Sequence, residues 1–130
     1  IDERHTPSID LVAEFGKDKE YILRPNEYVL VQTLEKVNLP HNINAIWIGR
    51  NTLHRSGVQL ITGSTSPGYS GVLNFGLKNL REKENFRFEL GARMFHSYFF
   101  YTSENVSSYR GQWQGGRVST GGETGKERQV

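Results

Sequence analysis

Short apolar runs, rich in β-branched and aromatic residues, alternate along this chain with glycine, proline and asparagine. Runs of this kind, bounded by turn-forming residues, are typical of the strands of a sandwich or a barrel. The pattern therefore predicts an all-β protein. The predicted strands are Tyr21–Leu23, Tyr28–Thr33, Ala45–Ile48, Val58–Ile61, Gly71–Leu77 and Met94–Phe100.

Two segments depart from this pattern. Asn51–Arg55 predicts one short helical turn, and its first two residues, Asn and Thr, are suitable N-caps because their side chains accept hydrogen bonds from helix N–H groups. From Gly111 onward the chain is rich in Gly, Gln, Ser and Thr and ends in charged residues, which is typical of a mobile tail unless a ligand or partner orders it. We expect a domain over residues 1–110 and a flexible, Gly-rich C-terminal arm over residues 111–130.

Length and composition narrow the classes of function. A chain of 130 residues is long enough for one domain with its own core. Cysteine is absent from the sequence, which excludes disulfides, thiolate metal sites and cysteine nucleophiles. No apolar run is long enough to span a bilayer, and no charged-then-apolar signal segment opens the chain. We expect a soluble, cytoplasmic protein with no membrane partner.

The placement of charge says more than its sum. The net charge of +2 does not favour a general nucleic-acid binder. Between Lys36 and Arg81 there is no Asp or Glu, although the stretch contains several basic residues and is flanked by acidic ones. Its positive local field suits an anionic ligand such as a polyphosphate. The alternative is a chance gap over a buried sheet, where carboxylates are scarce.

Six segments form a recognisable set in chain order. They are TPSIDL at Thr6–Leu11, LEKVNLP at Leu34–Pro40, GRNTLHRSG at Gly49–Gly57, PGYSG at Pro67–Gly71, LGARM at Leu90–Met94 and YRGQWQG at Tyr109–Gly115. Together they resemble the motifs of the dCTP deaminase/dUTPase superfamily over nearly the whole chain. The resemblance implies a distorted jelly-roll β-barrel (the dUTPase-like β-clip) assembled as a homotrimer, with active sites shared between subunits.

The first candidate site is the segment that begins at Gly49. A triphosphate needs fixed cations and hydrogen-bond donors presented together, ideally at a helix N-terminus, and the resemblance implies phosphate contacts for this segment. The implied phosphate-binding residues are Arg50, Asn51, Thr52, Arg55 and, from the C-terminal arm, Gln114. The alternatives are a polar connector after a strand and, for the glutamine, a disordered terminus.

Both catalytic positions of the superfamily are substituted. The resemblance places Ser66 where dUTPases have the Asp that deprotonates the attacking water, and Gly76 where dCTP deaminases have a proton-shuttling Glu. A serine is not a general base near neutral pH without an activating neighbour, so the catalytic residues stay unknown. His54 could supply the base because imidazole titrates near neutrality; a solvated histidine is the alternative.

The resemblance also implies contacts with the base and the sugar from Gly63, Tyr69 and Gly76. It further implies that Asp10 holds Mg²⁺ through water, with the ion bound through the nucleotide triphosphate. The structural alternatives are a core aromatic for Tyr69, a strand bulge for Gly76 and a turn cap for Asp10. His96 is expected in the barrel wall or in a trimer contact.

Three functions remain open. The first is a dUTP pyrophosphatase-like enzyme with an unorthodox base. The second is a catalytically silent member that binds a nucleotide and acts as a regulatory or structural protein. The third, a dCTP deaminase, is disfavoured by Gly76. We favour a trimeric site for a pyrimidine deoxynucleoside triphosphate with Mg²⁺, whose chemistry is altered or absent.

Overall fold

The computed structural model of the chain describes residues 9–103, 107, 109–111 and 113–116. Within that part of the chain, its strands and its one helix follow in the order β1 Glu20–Leu23, β2 Tyr28–Asn38, β3 Ile43–Gly49, α1 Asn51–Arg55, β4 Val58–Ile61, β5 Ser64–Thr65, β6 Ser70–Asn79, β7 Phe86–Glu89 and β8 Phe95–Tyr101. Each strand predicted from the sequence is present, and the predicted helical turn coincides with α1. The all-β prediction with one short helical turn is confirmed.

The described strands form three antiparallel sheets, with the orders β1-β7, β2-β6-β4 and β5-β3-β8. The central strand of the second sheet is β6, which pairs with β2 along most of its length, apart from a register shift between Gln32 and Lys36. The sheets pack on one another without closing into one continuous barrel. No helix in the described residues is long and apolar enough to cross a membrane.

Most of the core lies between the inner faces of the second and third sheets, and Leu23 and Phe88 of the first sheet complete it. Alternate residues of β3 and β4 are buried because successive side chains of a strand point to opposite faces. The Trp47 ring of β3 contacts the rings of Phe75, Phe95 and Phe99 at centroid distances of 6.3, 5.7 and 6.0 Å. Since Phe75 belongs to β6, this aromatic cluster joins the two sheets.

A buried amide fixes the end of β6 to the first sheet. Asn79 is fully buried, and its Nδ2 donates hydrogen bonds to the carbonyl oxygens of Leu23, Arg24 and Glu84 at 3.1, 3.1 and 2.9 Å. Its Oδ1 accepts a hydrogen bond from the backbone N–H of Arg81. A buried polar group is tolerated when it is hydrogen-bonded in this way, so Asn79 is a structural junction.

Two strands and a helix cap differ from the sequence-based expectations. The prediction omitted β5, which has two residues, and β7, whose apolar residues alternate with charged ones. The prediction that an Asn or a Thr caps α1 is wrong. The cap is Arg50, which has extended backbone angles and no side-chain hydrogen bond to the helix. Because α1 begins at Asn51, both predicted caps lie inside its first turn.

Candidate functional site

A cavity of about 880 Å³ is lined by residues of the second and third sheets and of the segments that connect them. Its wall includes the segment from Thr62 to Ser66, the aromatic residues Tyr28 and Tyr69, and Asp10 from the segment before β1. Most of this wall is apolar or aromatic, and its polar members include Ser66 and Asn74. Cavities of this size and character suit a small organic ligand, so we take it as the candidate site.

Trp47 shapes the Thr62–Ser66 segment. Its indole Nε1 donates a 2.6 Å hydrogen bond to the Thr65 hydroxyl, and its carbonyl oxygen accepts one of 2.6 Å from the Thr62 hydroxyl. Its backbone N–H also donates to the carbonyl oxygen of Gly63. These bonds hold the segment against β3 and leave Gly63 and Ser66 exposed at the cavity. Two residues assigned by resemblance therefore share one wall.

Tyr69 lies in the same wall but is almost entirely buried, with 6% of its surface exposed. Its hydroxyl donates a 2.5 Å hydrogen bond to the carbonyl oxygen of Val72, and the Tyr109 ring packs edge-on against it at 5.5 Å. Burial, followed by the neighbouring Tyr109, raises the pKa of Tyr69. In a single chain the ring is thus a core aromatic that contributes one edge to the cavity.

Gly76 lies in the middle of the second sheet, where it pairs with Leu30 on one side and Ile61 on the other. Both pairings keep the register, so the strand has no bulge at this residue. A Cβ atom at Gly76 would lie 2.7 Å from both Cε2 and Oη of Tyr28. The glycine therefore allows the Tyr28 ring to rest on the strand, and that ring borders the cavity.

The structure places the predicted phosphate-binding segment away from this cavity. Arg50, Asn51, Thr52 and Arg55 occupy the corner between β3 and α1, and none of them lines the cavity wall. The Arg50 guanidinium donates a 3.3 Å hydrogen bond to the carbonyl oxygen of Arg93. Asn51, Thr52 and Arg55 are exposed. A single chain therefore does not bring these four residues to the cavity that Gly63 and Tyr69 line.

Gln114 is held by its own chain. Its side-chain Nε2 donates a 3.2 Å hydrogen bond to the carbonyl oxygen of Gly68, and its Oε1 accepts one of 3.3 Å from the backbone N–H of Ser70. The described part of the predicted arm, residues 111 and 113–116, thus packs on the turn that precedes β6. The remainder of the arm lies outside the described residues.

Two carboxylates border the cavity, and the sequence drew attention to only one of them. Asp10 is exposed. Glu27, which the sequence analysis missed, accepts hydrogen bonds from the Tyr21 hydroxyl at 2.8 Å and from the backbone N–H of Arg24 at 2.6 Å. Because each of its oxygens has a partner, Glu27 shapes the turn before β2. Only the fold could reveal this residue, since no motif marks it.

The two histidines considered from the sequence lie elsewhere. His54 is exposed on α1, and His96 is exposed on β8 opposite Ile48. Neither borders the cavity. Among the side chains that the structure describes, no group of three or more His, Cys, Asp or Glu could hold a metal ion. A metal held by protein ligands alone therefore has no candidate site in the described chain.

Comparison with known proteins decides the family. A family model described as dCTP deaminase-like matches residues 1–101. This chain belongs to the dCTP deaminase-like family. Among its relatives, the dUMP-forming dCTP deaminase of Kocuria rhizophila is 38% identical over 82 residues, which cover 60% of this chain and 42% of that enzyme. The corresponding protein of Dictyoglomus thermophilum is 37% identical over 71 residues, covering 53% of this chain and 37% of the relative.

This member of the dCTP deaminase-like family therefore matches only about two fifths of the length of those relatives. Solved structures show its fold. The dUTPase of Staphylococcus bacteriophage 80alpha with dUPNHPP has a TM-score of 0.51 and 16% identity, covering 76% of this chain and 80% of that one. The EIAV dUTPase has a TM-score of 0.57 and 15% identity, covering 72% and 78%. The predicted dUTPase-like, distorted jelly-roll fold is confirmed.

Proposed function

We propose that this member of the dCTP deaminase-like family binds a pyrimidine deoxynucleoside triphosphate together with Mg²⁺, and that hydrolysis of dUTP to dUMP and pyrophosphate is the reaction to test. The observation that carries the proposal is the packing of Tyr28 on Gly76. The ring fills the space that a side chain at this strand position would need. This position has no proton-shuttling carboxylate and the Tyr28 ring occupies its space, which disfavours deamination and favours a dUTP-directed site.

The cavity supports binding of the base and sugar. It is lined by Gly63, Ser66 and Tyr69, and its wall combines aromatic rings with exposed backbone. A flat pyrimidine ring gains dispersion contacts from such walls, whereas its carbonyl and N–H groups need the polar groups of the lining. The cavity volume of about 880 Å³ is within the range of ligand pockets.

The phosphates would be bound by residues of a neighbouring subunit. Arg50 and Arg55 lie outside the cavity of their own chain, so we propose a homotrimer in which a second protomer offers them to the site. An apolar outer face on β3 and β8 supports association, because Ile46, Ile48 and Tyr98 are 39%, 48% and 51% exposed. Patches of contiguous exposed apolar surface often mark protein interfaces.

Mg²⁺ fits this arrangement only when it is bound through the phosphates of the nucleotide. The ion keeps several waters and is usually bound through substrate phosphates with one or two carboxylates. Asp10 is the exposed carboxylate at the cavity and would contact the hydrated ion through water. The ion would supply charge neutralisation to the triphosphate, while the chain orients the base and sugar.

A silent nucleotide binder is the second candidate, favoured by Ser66. The Ser66 side chain is exposed, and a hydroxyl without an activating base does not deprotonate water near neutral pH. Such a protein would bind the nucleotide and act as a regulatory or structural component.

One assay separates the candidates. The purified protein is incubated with Mg²⁺ and either dUTP or dCTP, and pyrophosphate, ammonia and the melting temperature are measured. Pyrophosphate with dUMP supports the hydrolase, and a melting shift without turnover supports the silent binder. Release of ammonia from dCTP would overturn the argument against deamination. No shift and no turnover with either nucleotide would refute the ligand proposal.

A further inference from the structure

Two side-chain amides converge on a single carbonyl oxygen beside the candidate cavity. Gln32 on β2 and Asn74 on β6 are paired across the strands. Gln32 Nε2 donates to the carbonyl oxygen of Gly116 at 3.3 Å, and Asn74 Nδ2 donates to the same oxygen at 3.0 Å. Gln32 Nε2 also donates to Asn74 Oδ1 at 3.1 Å, which orients both amides.

The chain's own tail supplies that oxygen. Gly115 donates a 3.0 Å hydrogen bond to the carbonyl oxygen of Ser70 and forms a bridge with Gly71. A Cβ atom at Gly71 would lie 2.5 Å from the carbonyl carbon of Gly115. The tail can therefore dock here only because residue 71 has no side chain. Gly116 is buried as a result.

The pair of amides has the character of a ligand subsite. Asn74 lines the candidate cavity, and Gln32, which is outside that wall, lies next to Asn74 as its partner across the strands. Both present N–H groups to one point, which suits a carbonyl oxygen and repels an amino group, because a donor facing a donor leaves both unsatisfied. Uracil has a carbonyl at the ring position where cytosine has an amino group.

We propose that Gln32 and Asn74 form a carbonyl-binding subsite for a uracil-type base, and that the Gly116 carbonyl occupies it until the nucleotide displaces the tail. This inference rests on the proposed nucleotide binding. Tail docking and ligand binding then compete for the same two donors, and the subsite favours dUTP over dCTP. Because only molecules with an undocked tail offer both donors, the apparent affinity for the nucleotide is reduced in proportion to the fraction of molecules in which the tail is docked.

Two variants that both release the tail have opposite expected effects on binding. Gly116→Ala places a Cβ atom 2.6 Å from the carbonyl oxygen of Val72 in a left-handed residue with φ +86°, but leaves both amides intact. Asn74→Leu removes a donor without adding charge. Gly115→Ala is the matched control, because its φ of +84° gives similar backbone strain while its Cβ meets nothing within 4 Å.

Tail release is followed by acrylamide quenching of tryptophan emission. The sequence has two tryptophans; Trp47 is buried, with 4% exposed, so the change reports Trp113 in the tail. Affinities for dUTP and dCTP are measured by calorimetry with Mg²⁺, and circular dichroism checks folding. We expect quenching to rise in both test variants, and more in Gly116→Ala than in Gly115→Ala.

The signs of the affinity changes decide the outcome. We expect Gly116→Ala to bind dUTP several-fold more tightly, and Asn74→Leu to bind it about tenfold more weakly, as loss of one buried hydrogen bond predicts. Equal gains in both variants would mean that Asn74 only anchors the tail, and would overturn the subsite. Binding by the unaltered protein with no change in either variant would overturn the subsite alone. No nucleotide binding by any of the proteins would overturn the proposed function, and the subsite with it.

Discussion

The phenol ring of Tyr28 rests directly on the backbone of Gly76, two positions out of register on the neighbouring strand. Tyr28 pairs with Lys78, whereas Gly76 pairs with Leu30, so the ring reaches diagonally across the sheet. An ideal Cβ at Gly76 would lie 2.7 Å from the ring, closer than side chains pack. The absence of a side chain at Gly76 therefore provides the space that the Tyr28 ring occupies.

A glutamate at this position should therefore destabilise the fold. We expect Gly76→Glu to lower the free energy of unfolding by about 2 kcal/mol, the usual cost of overpacking, as measured by urea denaturation. Adding Tyr28→Ala should recover most of the loss because it empties the space. Gly63→Ala is the control, since a Cβ there meets nothing within 4 Å. Full stability of Gly76→Glu alone would show that the ring moves aside freely.

The two arginines at the β3–α1 corner should differ in their effects. Arg55 is exposed, so Arg55→Ala should weaken dUTP binding about tenfold, the loss of one charge-assisted contact, with an unchanged melting temperature. Arg50→Ala should lower both the affinity for dUTP and the melting temperature, because the Arg50 guanidinium also donates a hydrogen bond to the carbonyl oxygen of Arg93. Calorimetry at constant salt concentration measures the affinities, with the exposed Lys83→Ala as the charge-matched control. Unaltered binding in Arg55→Ala would remove this residue from the phosphate site.

Tyr69 should make stability depend on alkaline pH. Its pKa is raised above the ordinary value of 10.0, mainly by burial, so the unfolded chain releases this proton before the folded chain does. The contribution of protonated Tyr69 to the free energy of unfolding is fully present below pH 10. It is lost as the pH rises through the pKa of Tyr69 in the folded chain. Tyr69→Phe should reduce this loss of stability at alkaline pH. At neutral pH the variant should be about 1 kcal/mol less stable, because it lacks the hydrogen bond from the Tyr69 hydroxyl to the carbonyl oxygen of Val72.

The measurement is the free energy of unfolding between about pH 8 and pH 11. Tyr101→Phe serves as the control, because Tyr101 is 85% exposed. Identical slopes for Tyr69→Phe and the unaltered protein would contradict the assignment.

Self-association should depend on the outer face of β3 and β8. Ile46 and Tyr98 are paired across these strands, and both are exposed in the single chain. We expect sedimentation of the unaltered protein as a trimer and of Ile46→Lys as a monomer, because a lysine would be buried without a partner in the interface. Leu80→Lys, at a residue that is 54% exposed, should remain trimeric. A monomeric unaltered protein would refute the shared-site proposal.

The candidate site was foreseen only in part. Gly63, Ser66 and Tyr69 were assigned by the family resemblance, and they do line one cavity. Glu27 and Tyr28 share that cavity but belong to no motif. The reason is physical: a motif specifies a short stretch of chain, whereas a cavity joins stretches that meet only after the strands pair.

The sequence by itself determined the β architecture, the single helical turn and the family, because apolar runs, turn residues and ordered motifs are local properties of the chain. Tertiary structure alone decided that Tyr28 covers Gly76 and that Gln32 and Asn74 share the Gly116 oxygen. These contacts follow from strand register, which is set by packing across the whole sheet. No local pattern specifies them.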